Sequence, residues 1–204
     1  MKNSIVKDAI VLFLITLLSG LALGVVHELT LEPIAAAQQA AANKTYQEVF
    51  PDAVTFETTE ELAGKVEEAN FDAANWGYGA VTIDECLEAK NDAGEVLGYV
   101  INATSPDGYA GDLQISVGIS NDKKVLGLGF LSISETPGLG LKANEPAFKD
   151  QFVGKDASGD IERIKTGTAN EQQFNALSGA TYTSTAVGNA LNAAIRFFNN
   201  ISEG

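Results

Sequence analysis

Cysteine, histidine, tryptophan and methionine occur once each in 204 residues, as Cys86, His27, Trp76 and Met1. A lone cysteine cannot close a disulfide within the chain, and such a residue behaves as a small buried hydrophobe. No imidazole is available beyond His27 to activate a serine, so a serine hydrolase centred on Ser178 or Ser184 is excluded. Zinc-finger, P-loop, GxSxG and HExxH spacings are all missing. His27 sits at the end of an apolar run, where neither a metal nor a catalytic role is expected. Positive charge is also scarce: 13 Lys and Arg stand against 27 Asp and Glu, a net −14. Setting aside Lys2, Lys7 and Asp8 leaves 11 basic and 26 acidic residues, a net −15. A surface that acidic is repelled by nucleic acid and by anionic lipid, so neither is expected as a partner.

What the chain has instead is one long run without charge, from Ala9 to Val26. Eighteen helical residues span roughly 27 Å, close to the thickness of a bilayer core. Lys2 and Lys7 precede the run, whereas His27, Glu28 and Glu32 follow it. The positive-inside bias predicts a cytoplasmic tail over 1–8, a transmembrane helix over 9–26 and everything later outside. The small-residue site Ala35-Ala36-Ala37 lies too far beyond Val26 for ordinary signal-peptide cleavage, so the helix reads as a retained anchor. No cysteine closes the run, which excludes a lipoprotein anchor.

Residues 27–50 read as a helical stalk, rich in Ala and Gln from 32 on and ended by Pro51. The remainder, 51–204, is long enough for one sizeable core. Residues 57–75 are acidic and read as loop or a short helix. Strands are expected over Val81–Leu87, Glu95–Thr104 and Val125–Ser134, with turns at Asn91-Asp92-Ala93-Gly94 and Asn121-Asp122-Lys123-Lys124. Leu113, Ile115, Val117 and Ile119 alternate with Gln114, Ser116 and Gly118, the period of a half-buried strand. Helices are expected over Glu145–Phe152 and Ala186–Asn199. The second carries Val187, Ala190, Leu191, Ala194, Ile195 and Phe198 at helical spacing. The fold class is therefore α+β, an antiparallel sheet with flanking helices behind one N-terminal transmembrane helix.

The most informative stretch is Leu177-Ser178-Gly179-Ala180-Thr181-Tyr182-Thr183-Ser184, a hydroxyl-dense turn running into the last helix. Ser184 or Thr183 is a candidate N-cap. Gly179 and Ala180 let a large group approach the backbone, and a helix N-terminus attracts phosphate. On residue types alone the turn is either a simple helix cap or a phosphate site. Two more segments stand out. Pro106-Asp107-Gly108-Tyr109-Ala110-Gly111 is a turn before the alternating strand, and Ser134-Glu135-Thr136-Pro137-Gly138-Leu139-Gly140-Leu141-Lys142 contains a Pro-Gly pair suited to a type II turn.

The string Ser178-Gly179-Ala180-Thr181 resembles the flavinylation motif of the FMN-binding domain family. That family includes the G subunit of Rnf-type ion-translocating electron transport complexes and the C subunit of the sodium-pumping NADH:quinone oxidoreductase. Gly108-Tyr109-Ala110-Gly111 and Glu135-Thr136-Pro137-Gly138-Leu139-Gly140 are similar to two further family strings, in the same order. Chain length favours the Rnf G subunit. The resemblance implies FMN bound covalently through its phosphate to Thr181. It implies cofactor-binding roles for Ser178, Gly179, Ala180, Gly108, Tyr109, Glu135, Thr136, Gly138, Leu139, Gly140 and Lys142. Gly140 would let backbone amides approach the ring and Leu139 would pack on its face. It also implies a place in the cell membrane, the other membrane subunits of an Rnf-type complex as partners, and a flavin transferase for maturation. The complex would move electrons between ferredoxin and NAD, coupled to Na⁺ or H⁺ translocation. One position departs from the pattern: Asn175 stands where the transferase motif has aspartate. Other flavinylated extracytoplasmic reductases, a C-type quinone reductase subunit and a flavin-free membrane-anchored binding module are the alternative readings.

Overall fold

A computed structural model describes residues 2–202; Met1 of the expected tail and Glu203 and Gly204 of the expected domain lie outside the described residues. The chain divides into two compact units, 1–41 and 42–204. The first belongs to helix α1 (Lys2–Val49), one uninterrupted element. Tail, anchor and stalk are therefore not separate pieces of secondary structure, since no residue from Lys2 to Val49 breaks the helix despite Pro33. This helix is long and apolar enough to cross a membrane, and its apolar side chains from Ile5 to Ile34 are exposed.

The second unit is built on a five-stranded antiparallel meander, β1 (Thr55–Glu57), β2 (Thr82–Lys90), β3 (Val96–Ser105), β4 (Leu113–Ser120) and β5 (Val125–Ile133), in that spatial order. The segment 57–75 is more ordered than its composition suggests. Helix α2 (Glu60–Asp72) starts at Thr59, whose hydroxyl accepts from Leu62 N at 3.2 Å. This single cap satisfies one of the first-turn amides. The segment 145–152 is not one helix: a 3₁₀ turn over Gly140–Asn144 precedes α3 (Pro146–Lys149), and another follows over Asp150–Phe152. Periodicity misses a parallel pair, β6 (Glu162–Ile164) with β7 (Gln173–Asn175), because three-residue strands leave no pattern.

Helix α4 (Thr181–Ser202) starts five residues earlier than its apolar stripe predicts. It packs on β3 and β4 and buries Val187, Leu191, Ile195 and Phe198 in the main core. Two of its asparagines hold neighbouring backbone. Asn192 clamps the backbone of Ile161 from both sides, at 2.9 and 3.3 Å, and Asn199 donates to Ala157 O at 2.8 Å. They dock the loops that follow the meander.

Strand β4 is not half-buried. Ser116 and Gly118 are as buried as Ile115 and Val117, because the end of α1 covers the other face. Tyr46, Val49 and Phe50 form a second core there with Leu87, Ala89 and Val100. A Cβ on Gly118 would sit 2.2 Å from Val49 O, and one on Gly127 would sit 2.7 Å from Val49 Cα. Backbone meets backbone on this side.

Candidate functional site

Three loops meet at the N-terminal end of α4. The first is the turn Leu177–Ala180, closed by Ala180 N to Leu177 O at 3.2 Å, with Gly179 at φ +76°. Ser184 fixes it from inside the helix. Its hydroxyl accepts from Leu177 N and donates to Ala180 O, both at 2.9 Å. Neither Ser184 nor Thr183 is therefore the N-cap. The helix starts at Thr181, and both side chains point into buried surroundings within the first turn. The first-turn amides lack helical partners by geometry and carry the positive end of the dipole.

The second loop is Thr136-Pro137-Gly138-Leu139. Leu139 N donates to Thr136 O at 3.1 Å and Gly138 has φ +77°, the arrangement of a type II turn. The third is the turn at Gly108-Tyr109. Glu135 ties it to the second: Tyr109 N donates to Glu135 Oε1 at 2.8 Å. Gly108 is required sterically, since a Cβ would lie 2.2 Å from Gly111 O and 3.1 Å from that same carboxylate oxygen.

These loops enclose a cleft of about 500 Å³, lined by Tyr109, Glu135, Thr136, Leu139, Gly140, Gly179, Ala180, Thr181, Tyr182 and Thr183. Such a volume suits a mostly apolar, drug-sized ligand held by a few polar groups. Tyr109 and Tyr182 stand exposed at its rim with ring centroids 6.4 Å apart, and Leu139 is also exposed. Thr181 is exposed, whereas Glu135 and Thr183 are buried in the wall. No Lys or Arg is among the lining residues.

Eight of the twelve residues implicated by sequence thus line one cavity. Gly108, Gly138, Ser178 and Lys142 do not; Gly138 and Ser178 belong to the enclosing turns, and Lys142 is exposed on the 3₁₀ turn after them. Gly140 faces inward to protein rather than outward. A Cβ there would lie 2.5 Å from Thr183 Oγ1 and 2.6 Å from Glu135 Oε2. Sequence reasoning passes over Tyr182 and Thr183 as site residues. The available signal was their place in the first turn of α4, adjoining Thr181. Asn175 lies on β7, held through its backbone by Gln151 at 2.8 and 3.2 Å. Cys86 is buried, and burial pushes its thiol well above the ordinary range, so it is no nucleophile. No group of His, Cys, Asp and Glu among the described residues is arranged to hold a metal.

The cleft fits a flavin on two observations. Its volume of about 500 Å³, walled by Tyr109, Tyr182, Leu139, Gly179 and Ala180, offers apolar surface to a ring system. Thr183 Oγ1 is a buried hydroxyl without a hydrogen-bond partner.

Comparison with known proteins agrees with this geometry. Residues 108–196 match the FMN-binding domain family, and residues 1–49 match the RnfG N-terminal region. The G subunit of the Na⁺-translocating ferredoxin:NAD⁺ oxidoreductase complex of Acetobacterium woodii is 32% identical, over 97% of this chain and 93% of that protein. The G subunit of the ion-translocating oxidoreductase complex of Shewanella loihica is 29% identical, over 98% and 92%. The solved structure of NqrC from Shewanella oneidensis shares the fold, with a TM-score of 0.50 at 18% identity over 76% of this chain and 74% of that one. The chain belongs to the G-subunit family of ion-translocating oxidoreductase complexes, and its FMN-binding domain holds the cleft.

Proposed function

We propose that this chain is the flavin-carrying electron-transfer subunit of a membrane complex that moves electrons between ferredoxin and NAD, coupled to ion translocation. FMN is esterified through its phosphate to Thr181, on a domain held outside the lipid barrier by α1. The single observation that carries the reading is the meeting of Gly108-Tyr109, Glu135–Gly140 and Gly179–Thr181 around one cleft. Family membership supplies the redox and ion-translocating context.

FMN supplies reversible uptake and release of electrons when bound. The polypeptide supplies position and field. Thr181 is solvent-accessible at the head of α4, so a flavin transferase can reach its hydroxyl. In the attachment step, Thr181 Oγ bonds to the phosphorus of an activated flavin phosphate, the hydroxyl proton is released and the activating group leaves. The positive end of α4 then favours the phosphodiester charge, in a wall that offers no basic side chain. Leu139, Tyr109 and Tyr182 offer apolar surface for the ring. Orientation follows from Lys2 and Lys7 before the apolar run and Glu28 and Glu32 after it. Covalent attachment has a physical reason on that side. Even a nanomolar site, about 12 kcal/mol, empties where free FMN is absent.

The test is intact mass and in-gel fluorescence of the chain co-expressed with a flavin transferase. The wild type gains FMN less one water, Thr181→Ala gains nothing, and Ser178→Ala gains less than the wild type. Flavin retained by Thr181→Ala would overturn the attachment site.

A further inference from the structure

Thr183 differs from every other hydroxyl around the cleft. It is fully buried, it lines the cavity, and its Oγ1 has no partner. A buried hydroxyl left unpaired is costly, and at the wall of a cleft a bound molecule can complete it. Glu135 is its neighbour. Oε1 is engaged by Tyr109 N, while Oε2 is turned toward Gly140. A single methyl on Gly140 would lie 2.5 Å from Thr183 Oγ1 and 2.6 Å from Glu135 Oε2, so the two oxygens are within about 5 Å of each other. Both oxygens abut Gly140 in the wall of the cleft, where no side chain fits between them.

The chemistry of this pair selects its ligand. A carboxylate repels phosphate, so the pair does not extend the phosphate site at Thr181. A carboxylate oxygen accepts a hydrogen bond and a threonine hydroxyl can donate one. Side by side, they match an edge presenting a neutral N–H next to a carbonyl oxygen. A cyclic imide has that edge. We propose that Glu135 and Thr183 form the recognition pair for the imide edge of the flavin ring, Glu135 Oε2 accepting from the ring N–H and Thr183 Oγ1 donating to an adjacent ring carbonyl. The assignment rests on the flavin reading above. It gives the two threonines of one helical turn separate tasks: exposed Thr181 holds the phosphate, and buried Thr183 orients the ring.

The pair also acts on the redox equilibrium. Electrons arriving on the ring increase its negative charge, and a buried carboxylate at the imide opposes that increase. Replacing the carboxylate by an uncharged amide of the same shape therefore favours the reduced flavin.

The experiment uses the full chain, flavinylated by a co-expressed transferase with isotopically labelled flavin. Intact mass reports attachment, NMR reports exchange of the flavin imide proton, and redox titration reports the midpoint. In the wild type the imide proton exchanges at least tenfold more slowly than in free FMN. Thr183→Val retains the mass gain but loses at least fivefold of that protection, and Thr183→Ser restores it. Glu135→Gln favours the reduced state about tenfold, equivalent to about 30 mV for a two-electron couple. A flavinylated wild type whose imide exchanges as in free FMN overturns the pair and leaves the flavin reading intact. An unchanged midpoint in Glu135→Gln, which does not depend on Thr183→Val folding, does the same. A wild type without flavin mass overturns both.

Discussion

The two faces of the five-stranded sheet are closed by different means. Under the end of α1, main chain lies against main chain at Gly118 and Gly127, where a methyl would meet the backbone of Val49, and at Gly129 a methyl would meet the side chains of Thr45 and Val49. Under α4 the layer is made of side chains, from Ile101 and Ile115 to Leu191 and Phe198, and its far end opens into the cleft. A contact between backbones cannot repack, whereas interdigitated side chains can. The closed face sets the geometry of the sheet. The open end of the other face is where polar groups are left for a ligand.

The most severe test of that contrast is Gly118→Ala. Its Cβ would meet a carbonyl oxygen at 2.2 Å, so strands or helix must separate, and a loss of about 3 kcal/mol is expected in urea unfolding of the 42–204 unit. Gly188→Ala is the matching change on α4. Its Cβ would lie 3.1 Å from the Phe174 ring, which can shift by tenths of an ångström, and alanine returns up to about 1 kcal/mol of helix propensity. Its expected net effect is under about 1 kcal/mol. Equal losses in the two variants would erase the distinction between the faces.

The cleft makes a finer comparison between two glycines of one loop. Gly140→Ala forces apart Thr183 Oγ1 and Glu135 Oε2, for an expected loss of about 2 kcal/mol together with a changed visible spectrum of the attached flavin. Gly138→Ala meets no atom within 4 Å and is penalised only by its φ of +77°, about 1 kcal/mol, with the spectrum unchanged. Matching spectra in the two variants would separate Gly140 from the cleft.

What was legible from sequence was local. The Pro137-Gly138 turn, the strand alternation from Leu113 to Ile119 and the helical stripe from Val187 to Phe198 each declare themselves within a few residues. The second covering of β4 was not legible, because Ser116 and Gly118 look like the solvent side of an amphipathic strand until Val49, from seventy residues earlier, lies on them. The pairing of β6 with β7 is equally non-local and too short to leave a period. At the site, motif strings identified the loops but not every residue that matters. Thr183 reads as a cap because Thr and Ser favour that position, and only the observed start of α4 at Thr181 turns it inward. Asn192 and Asn199 hold the loop backbones of Ile161 and Ala157, partners that residue type does not reveal.

The closed face carries a polar cluster around Tyr46, whose pH response gives a further test. Tyr46 is buried there. Its hydroxyl accepts from Asn102 Nδ2 at 2.7 Å and donates to Glu85 Oε2 at 3.3 Å. Burial pushes the phenol up to about 12, with the Glu85 carboxylate adding to the shift and Asn102 opposing it. The phenol stays protonated in the folded protein at pH values where the unfolded chain, near 10, has lost its proton. This contribution is therefore whole below pH 10 and is lost as pH rises toward 12. At pH 8, Tyr46→Phe removes hydrogen bonds and should cost about 1 kcal/mol, with Asn102 Nδ2 still bonded to Glu85 Oε2 at 3.2 Å. At pH 11 the wild type has lost about as much by ionising on unfolding, so the two stabilities converge. Tyr78, also raised to about 12 by burial and by Asp160, titrates alike in both proteins and cancels from the difference. Urea unfolding at the two pH values measures it, and a gap that stays constant from pH 8 to 11 would place the Tyr46 hydroxyl in contact with water and the closed face open at this point.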